Sequence, residues 1–191
     1  MIKHKLTDLV RKDTKIRGIY RGVVEEIEDP MTGRVRCRIH GLHSTSEVLD
    51  NTQTDGIPTE HLPWCEPAIP ITEFGVDGSG LFGVPQIGSH VLIFFENENL
   101  MSPIYFAAVP SKTEWNTKST VDNFVFETHG GHYVEFDSTE GNERIKVYHT
   151  AGTEIEVDNT GAITIIGKSN INITVTGNCN ITTTGGVINL N

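Results

Sequence analysis

"KSNINITVTGNCNITTTGG", residues 168–186, places Asn or Thr at every second position: Asn170, Asn172, Thr174, Thr176, Asn178, Asn180, Thr182 and Thr184. Between them stand Ile171, Ile173, Val175, Gly177, Cys179, Ile181, Thr183 and Gly185. A period of two is a strand pattern, and this one outruns the usual strand of about five or six residues. It supplies one thin apolar line, one uncharged polar line and little bulk. No single copy can bury such a line. Three copies wound about a common axis can, because the apolar positions then fill a narrow shared core. Space on the axis is scarce, which accounts for Ile, Val, Cys, Thr and Gly and for the lack of aromatics. Outward Asn and Thr form ladders without stacking like charges, and intertwining leaves no free sheet edge. The pattern therefore predicts an intertwined triple-stranded β-helix, a homotrimeric needle cored by Ile163, Ile165, Ile171, Ile173, Val175, Cys179 and Ile181. A single-chain sandwich or solenoid is the alternative.

Upstream, "HYVEFD", "RIKVYH", "TEIEVD" and "AITIIG" alternate too, separated by the turn signals "STEGN", "TAGT" and "DNTG". No helix period appears in this half. The needle is assigned to residues 123–191 and a polar linker to 111–122. Residues 17–110 read as a β-barrel. "GIYRGVVEEIED" and "GRVRCRIHGL" flank the turn "DPMTG", in which Pro30 presets φ and Gly33 supplies the permissive position. "HVLIFFE" and "PIYFAAV" flank "NENLMS" as a second hairpin. Two hairpins separated by a long Pro- and Gly-rich excursion, Ser44 to Gly88, suit a five-stranded OB-type barrel. The expected fold class is all-β: an N-terminal OB-fold barrel followed by the trimeric β-helix. Residues 1–16 read as an arm with Ile2, Leu6, Leu9 and Val10 at helical spacing.

The 191 residues carry a net charge of −10, which does not favour a nucleic-acid partner. The charge is uneven. Residues 1–21 hold seven Lys or Arg and two acids, so the remainder is strongly acidic. The three cysteines form no C-x-x-C pair, so neither a disulfide scaffold nor a zinc site is expected. No run reaches the length of a membrane helix and no signal peptide opens the chain.

The order barrel, linker, β-helix resembles the central spike of contractile-tailed, T-even-like phages, their cell-puncturing baseplate protein. "EDPMTGRVRCRIHGLHS" is similar to that family's first barrel hairpin, and "GIPTEHLPWCEPAIPIT" to its Pro-Thr-Glu-x-Leu-Pro-Trp loop. "GHYVEFDSTEGNERIKVYHTAGTEIEVDNTG" resembles the start of its β-helix, a pattern shared with type VI secretion spikes, and "GGVINLN" resembles its closing strand. The likeness runs along nearly the whole chain, which is expected to be complete. It implies a homotrimer that docks under a baseplate hub ring and meets the host envelope first when the tail contracts. A separate PAAR-like tip protein is a further implied partner, and the virion the implied location. The arm is the expected hub contact, through Lys3, Lys5, Leu6, Leu9, Arg11 and Lys12. One departure stands out: the T-even spike carries a lysozyme domain between barrel and needle, and this linker is too short for one. The two carboxylates a glycosidase needs have no folded setting there, so no catalytic residue and no cofactor is expected. A tail-associated cell-wall hydrolase and a type VI delivery spike are the alternative readings.

Four groups invite a chemical reading. His129 and His132 in "HGGH" are read as a turn into the needle rather than a metal pair. Cys179 falls on the inward line and reads as a small hydrophobe. Trp64 reads as barrel packing or an inter-subunit contact before a ligand platform. Glu96 and Glu98 read as a solvated hairpin tip.

Overall fold

Strand β1, Tyr20–Ile27, has to serve two neighbours, and its sequence carries the means to do so. It pairs antiparallel with β2 (Val35–Ile39) on one side and β4 (His90–Phe95) on the other. A register shift between Val24 and Glu26 bends it, as an extra residue in one strand does. At Gly22 a Cβ would lie 2.7 Å from Ile93 Cδ1, 3.2 Å from the Arg38 carbonyl oxygen and 3.3 Å from Cys37 Cβ. Glycine therefore permits the close approach that closes the barrel.

This computed structural model describes residues 16–27, 33–43, 57–70 and 78–189. The chain divides into two compact units between Trp115 and Asn116. The first is a closed barrel in the order β1-β2-β3-β5-β4, an OB-like arrangement. Its β3, Trp64–Pro67, lies inside the excursion that reads as irregular, and it runs parallel to β5, Pro103–Ala108. Four residues bordered by prolines give too short an alternation to register as a strand. The β4–β5 hairpin turns through Asn97 and Glu98, both at positive φ (53° and 60°). Asn tolerates that region best among side chains with a Cβ.

Alternation puts Val24, Val35, Cys37, Ile39, Cys65, Val91, Ile93, Phe95 and Tyr105 inside. The Tyr105 hydroxyl donates to the Gly33 carbonyl at 2.6 Å, and burial pushes its phenol up to about 12. Cys37 and Cys65 are free thiols with no exposed surface. Outside β1 and β2, Arg38 grips Glu25 with two bonds of 2.6 and 2.8 Å and donates to the Ile57 carbonyl at 2.9 Å. Thr59 adds a 2.7 Å bond to the same carboxylate. The Arg38 hydrogen bonds hold the Glu25 carboxyl below its usual range. Burial lowers His43, whose Nδ1 accepts the Ile39 N–H at 3.0 Å. Trp64 supports two guanidinium groups, Arg36 at 4.2 Å and Arg34 at 5.7 Å from the ring centre.

The second unit is an antiparallel meander in the order β10-β9-β8-β7-β6. Its strands are β6 Asn123–Glu127, β7 Tyr133–Asp137, β8 Arg144–His149, β9 Thr153–Val157 and β10 Ile163–Ile166. Asp158 closes the last hairpin by accepting the N–H groups of Thr160 (2.8 Å) and Ala162 (3.0 Å). The polar residues before β6 are tied in as well: Asn116 and Lys118 both bond Glu127. Residues 167–189 form no strand. The triple-stranded β-helix expected there is not formed within one copy of the chain.

Candidate interaction face

Register alone sorts the meander into two faces. Phe124, Phe136, Ile145, Val157 and Ile163 stand opposite one another across the five strands. A second row runs Phe126, Val134, Val147, Ile155 and Ile165. All ten are apolar and on one face, because side chains two apart in a strand point the same way. Yet this face is bare: Phe124 is 66% exposed, Ile155 46% and Ile163 69%. Among the described residues of this unit the one fully buried side chain is charged, Glu135 at 4%.

The opposite face explains that inversion. Its long polar side chains lie flat and cover each other. Glu135 receives Asn123 Nδ2 at 3.1 Å and Arg144 Nε at 3.0 Å, and Arg144 also reaches Asp137 at 3.2 Å. Lys146 bridges Glu154 at 2.7 Å and Glu156 at 3.1 Å. The Tyr133 and Tyr148 rings stack with centroids 5.0 Å apart, and the Lys118 ammonium sits 5.1 Å over Tyr133. The Lys118 hydrogen bond draws the Glu127 carboxyl below its ordinary range, and those from Thr139 do the same for Asp137. Charged groups of this face are paired with one another, with Ile166 its one strongly exposed apolar side chain among the described residues, so the bare apolar face is the one with most contacts left to make. Eight exposed apolar side chains, with Val134 and Val157 half-buried among them, exceed the scattered exposure normal for a soluble surface.

The residues expected to core the needle are all in view. Ile163 and Ile165 belong to β10 and stand in the two apolar rows. Ile171, Ile173, Val175, Cys179 and Ile181 lie in the strandless segment and are exposed, Ile173 at 71%. Phe124, Phe126, Phe136, Val147 and Ile155 extend the apolar set well upstream of those residues. The signal for them was the alternation of "NFVFE" and "RIKVYH". The expected arm contacts Lys3, Lys5, Leu6, Leu9, Arg11 and Lys12 lie outside the described residues. His129 and His132 fall in the turn between β6 and β7. His132 does not pair with His129; its ring lies 4.4 Å from that of His149. No group of three or more metal-ligating side chains occurs among the described residues.

No family model matches the chain. The pre-baseplate central spike protein Gp5 of Enterobacteria phage T4 is 45% identical over 60 residues, 31% of this chain and 10% of that protein. Protein Gp5 of Vibrio phage KVP40 is 42% identical over 71 residues, 33% of this chain and 17% of its own length. Over about a third of its length, then, the chain is similar to two phage Gp5 proteins, one of them named a pre-baseplate central spike protein, and it spans a small part of each.

Proposed function

We propose that the chain is a structural component of the central spike of a contractile phage tail, and that it acts as a homotrimer. The observation that carries this reading is the two-row apolar face, bare in one copy and followed by the alternating segment 167–189. The similarity to a protein named as a pre-baseplate central spike supports it. Five strands about 4.8 Å apart make a sheet roughly 24 Å wide. Three such sheets, closed as a triangular prism, leave roughly 7 Å from each sheet to the axis. That is slightly more than the roughly 5 Å layer each sheet contributes to a packed pair, and the phenylalanines take up the excess. Four sheets would leave an empty channel. Two sheets would suit the meander but not the segment after it, where two single strands enclose nothing and three enclose an axis.

The function is mechanical and needs no reacting group. Interchain backbone hydrogen bonds would make the needle stiff, and the saturated outer charges would keep copies from stacking sideways. In this reading the barrel and the arm face a hub ring, the needle meets the host envelope on contraction, and a separate tip protein caps its end. The protein then resides in the virion, at the baseplate. The alternative of a cell-wall hydrolase predicts clearing of peptidoglycan by the purified chain.

Sedimentation of the full chain at micromolar concentration is the test. Three chain masses are expected; a monomer would overturn the proposal. Mild oxidation adds a check on register. Three Cys179 thiols on one axis would give one cross-linked pair and one free chain per trimer, because a disulfide joins only two.

A further inference from the structure

The apolar face ends in a row of different chemistry. Beyond Phe126, Val134, Val147 and Ile155 the next positions are Thr128, His132, His149 and Thr153, joined by the Thr128 N–H to His132 carbonyl bond and the His149–Thr153 pairing. The two imidazoles face each other across β7 and β8, 4.4 Å between centroids and 36° between planes. Each uses Nδ1 as an acceptor. Ala151 N–H donates to His149 Nδ1 at 3.1 Å, and Thr150 N–H to His132 Nδ1 at 3.4 Å. These bonds hold the β8–β9 turn, which is completed by Gly152 N–H donating to the His149 carbonyl at 2.8 Å. The turn is tight against the β6–β7 turn: a Cβ at Gly131 would lie 3.0 Å from Thr150 Cγ2.

An Nδ1 that accepts a backbone N–H carries no proton, so the neutral ring holds its hydrogen on Nε2. A metal at Nε2 would need the other tautomer, so these bonds disfavour a metal pair. A second proton is a different matter. It must go onto Nδ1, where it meets a backbone N–H head on and the bond is lost. With both rings charged, two cations face each other at the rim of an apolar surface. The neighbouring groups offer no relief. Thr128 and His129 come from the β6–β7 turn, Thr153 from β9, and the Lys168 stem passes the turn, 3.8 Å from where a Cβ at Gly152 would sit. Among the described residues neither ring forms an ion pair, unlike His90, whose Nδ1 lies 2.7 Å from Glu114.

We propose that His132 and His149 form a proton-sensitive lock on the turn between β8 and β9, and through it on association of the apolar face. The second half rests on the self-association proposed above. Acid opens the turn and places charge where another copy would pack, so the assembly loosens on acidification.

The test compares the full chain with the double variant His132→Asn, His149→Asn, in which an amide oxygen replaces each Nδ1 acceptor and cannot be protonated. Hydrogen exchange of residues 149–153, corrected for the intrinsic pH dependence, reports the turn; sedimentation reports association. Protection in the native chain is expected to fall about tenfold between pH 8 and pH 5, and in the variant to stay level. The association constant should follow the same pattern. An equal acid response in both proteins would overturn the lock. If the chain is monomeric at every pH, the assembly proposal fails, while exchange in the turn still decides whether the histidines sense protons. Should the double variant fail to fold, nitrogen NMR of the native imidazoles replaces it: Nδ1 that stays unprotonated to pH 5 would rule the mechanism out.

Discussion

The barrel and the meander use the same alternation of apolar and polar residues to opposite ends. In the barrel the apolar line faces a closed interior, and Val35, Cys37, Ile39, Cys65 and Ile93 have no exposed surface. In the meander the apolar line faces outward from the chain, and the buried side chain is Glu135. The difference lies in closure. Five barrel strands return to their starting strand, so one face becomes an inside. Five meander strands stay open, so neither face is an inside until something covers it. Period two fixes which residues share a face and is silent on whether that face is closed.

The largest way to break this contrast is a charge in the middle of the bare face. Ile155→Asp, between Val147 and Ile165, is expected to abolish self-association at tens of micromolar and leave the barrel's unfolding transition in place. Desolvating a carboxylate on an apolar interface outweighs the contacts there. Loss of the barrel transition as well would mean that the units are not separate in stability. Next in size is a paired comparison in the strandless segment. Ile173→Asp should lower trimer yield severely and Thr174→Asp little, because the first would bring like charges together on a dry axis and the second would leave them screened. Similar yields would show that the inward line is misassigned.

A third substitution acts on the closed region. Ile93→Ala is expected to lower barrel stability by roughly 2–5 kcal/mol, as for other aliphatic deletions that leave a cavity, with sedimentation unchanged. The smallest effect concerns the polar clamp. Glu25→Gln replaces the charged acceptor of two Arg38 bonds with a neutral amide, a loss of about 1.5–3 kcal/mol near neutral pH. The pH dependence has a definite sign. Both Glu25 and His43 titrate lower in the folded chain than when unfolded, so the stability each gives is complete above its unfolded pKa and is lost as acid is added. The loss begins below about pH 6.5 for His43 and below about pH 4.3 for Glu25. Urea titrations from pH 7 to pH 3 should show that the Glu25→Gln difference shrinks only in the lower part of that range.

Much of the architecture was legible from alternation and turn residues. Both barrel hairpins and strands β7 to β10 follow from "HVLIFFE", "RIKVYH" and their kin. Strand β3 was not legible, because Trp64–Pro67 is short and its pairing with β5 is parallel and remote in sequence. The clamp was hidden for a similar reason: nothing local links Glu25 to Thr59. The two apolar rows of the meander were legible residue by residue, but their register follows only from four hairpin turns of known length. The His132–His149 contact was obscured by the nearer His129, since cross-strand neighbours are set by register and not by proximity along the chain.

The pairing of distant strands in the barrel carries a consequence for how the molecule comes into being. Tyr20 must find Ile93, and Glu66 must find Ile104, whereas every meander strand pairs with the next one along. Long-range closure slows folding, and local hairpins form quickly. The barrel is therefore expected to be the slow step within one chain, at a rate independent of how many chains are present. The meander is expected to form its turns early and, on the proposed self-association, to gain lasting order on meeting other copies, at a rate that rises with concentration. Refolding followed at several protein concentrations should separate into one phase of each kind; a single concentration-independent phase would mean that the open sheet is stable by itself.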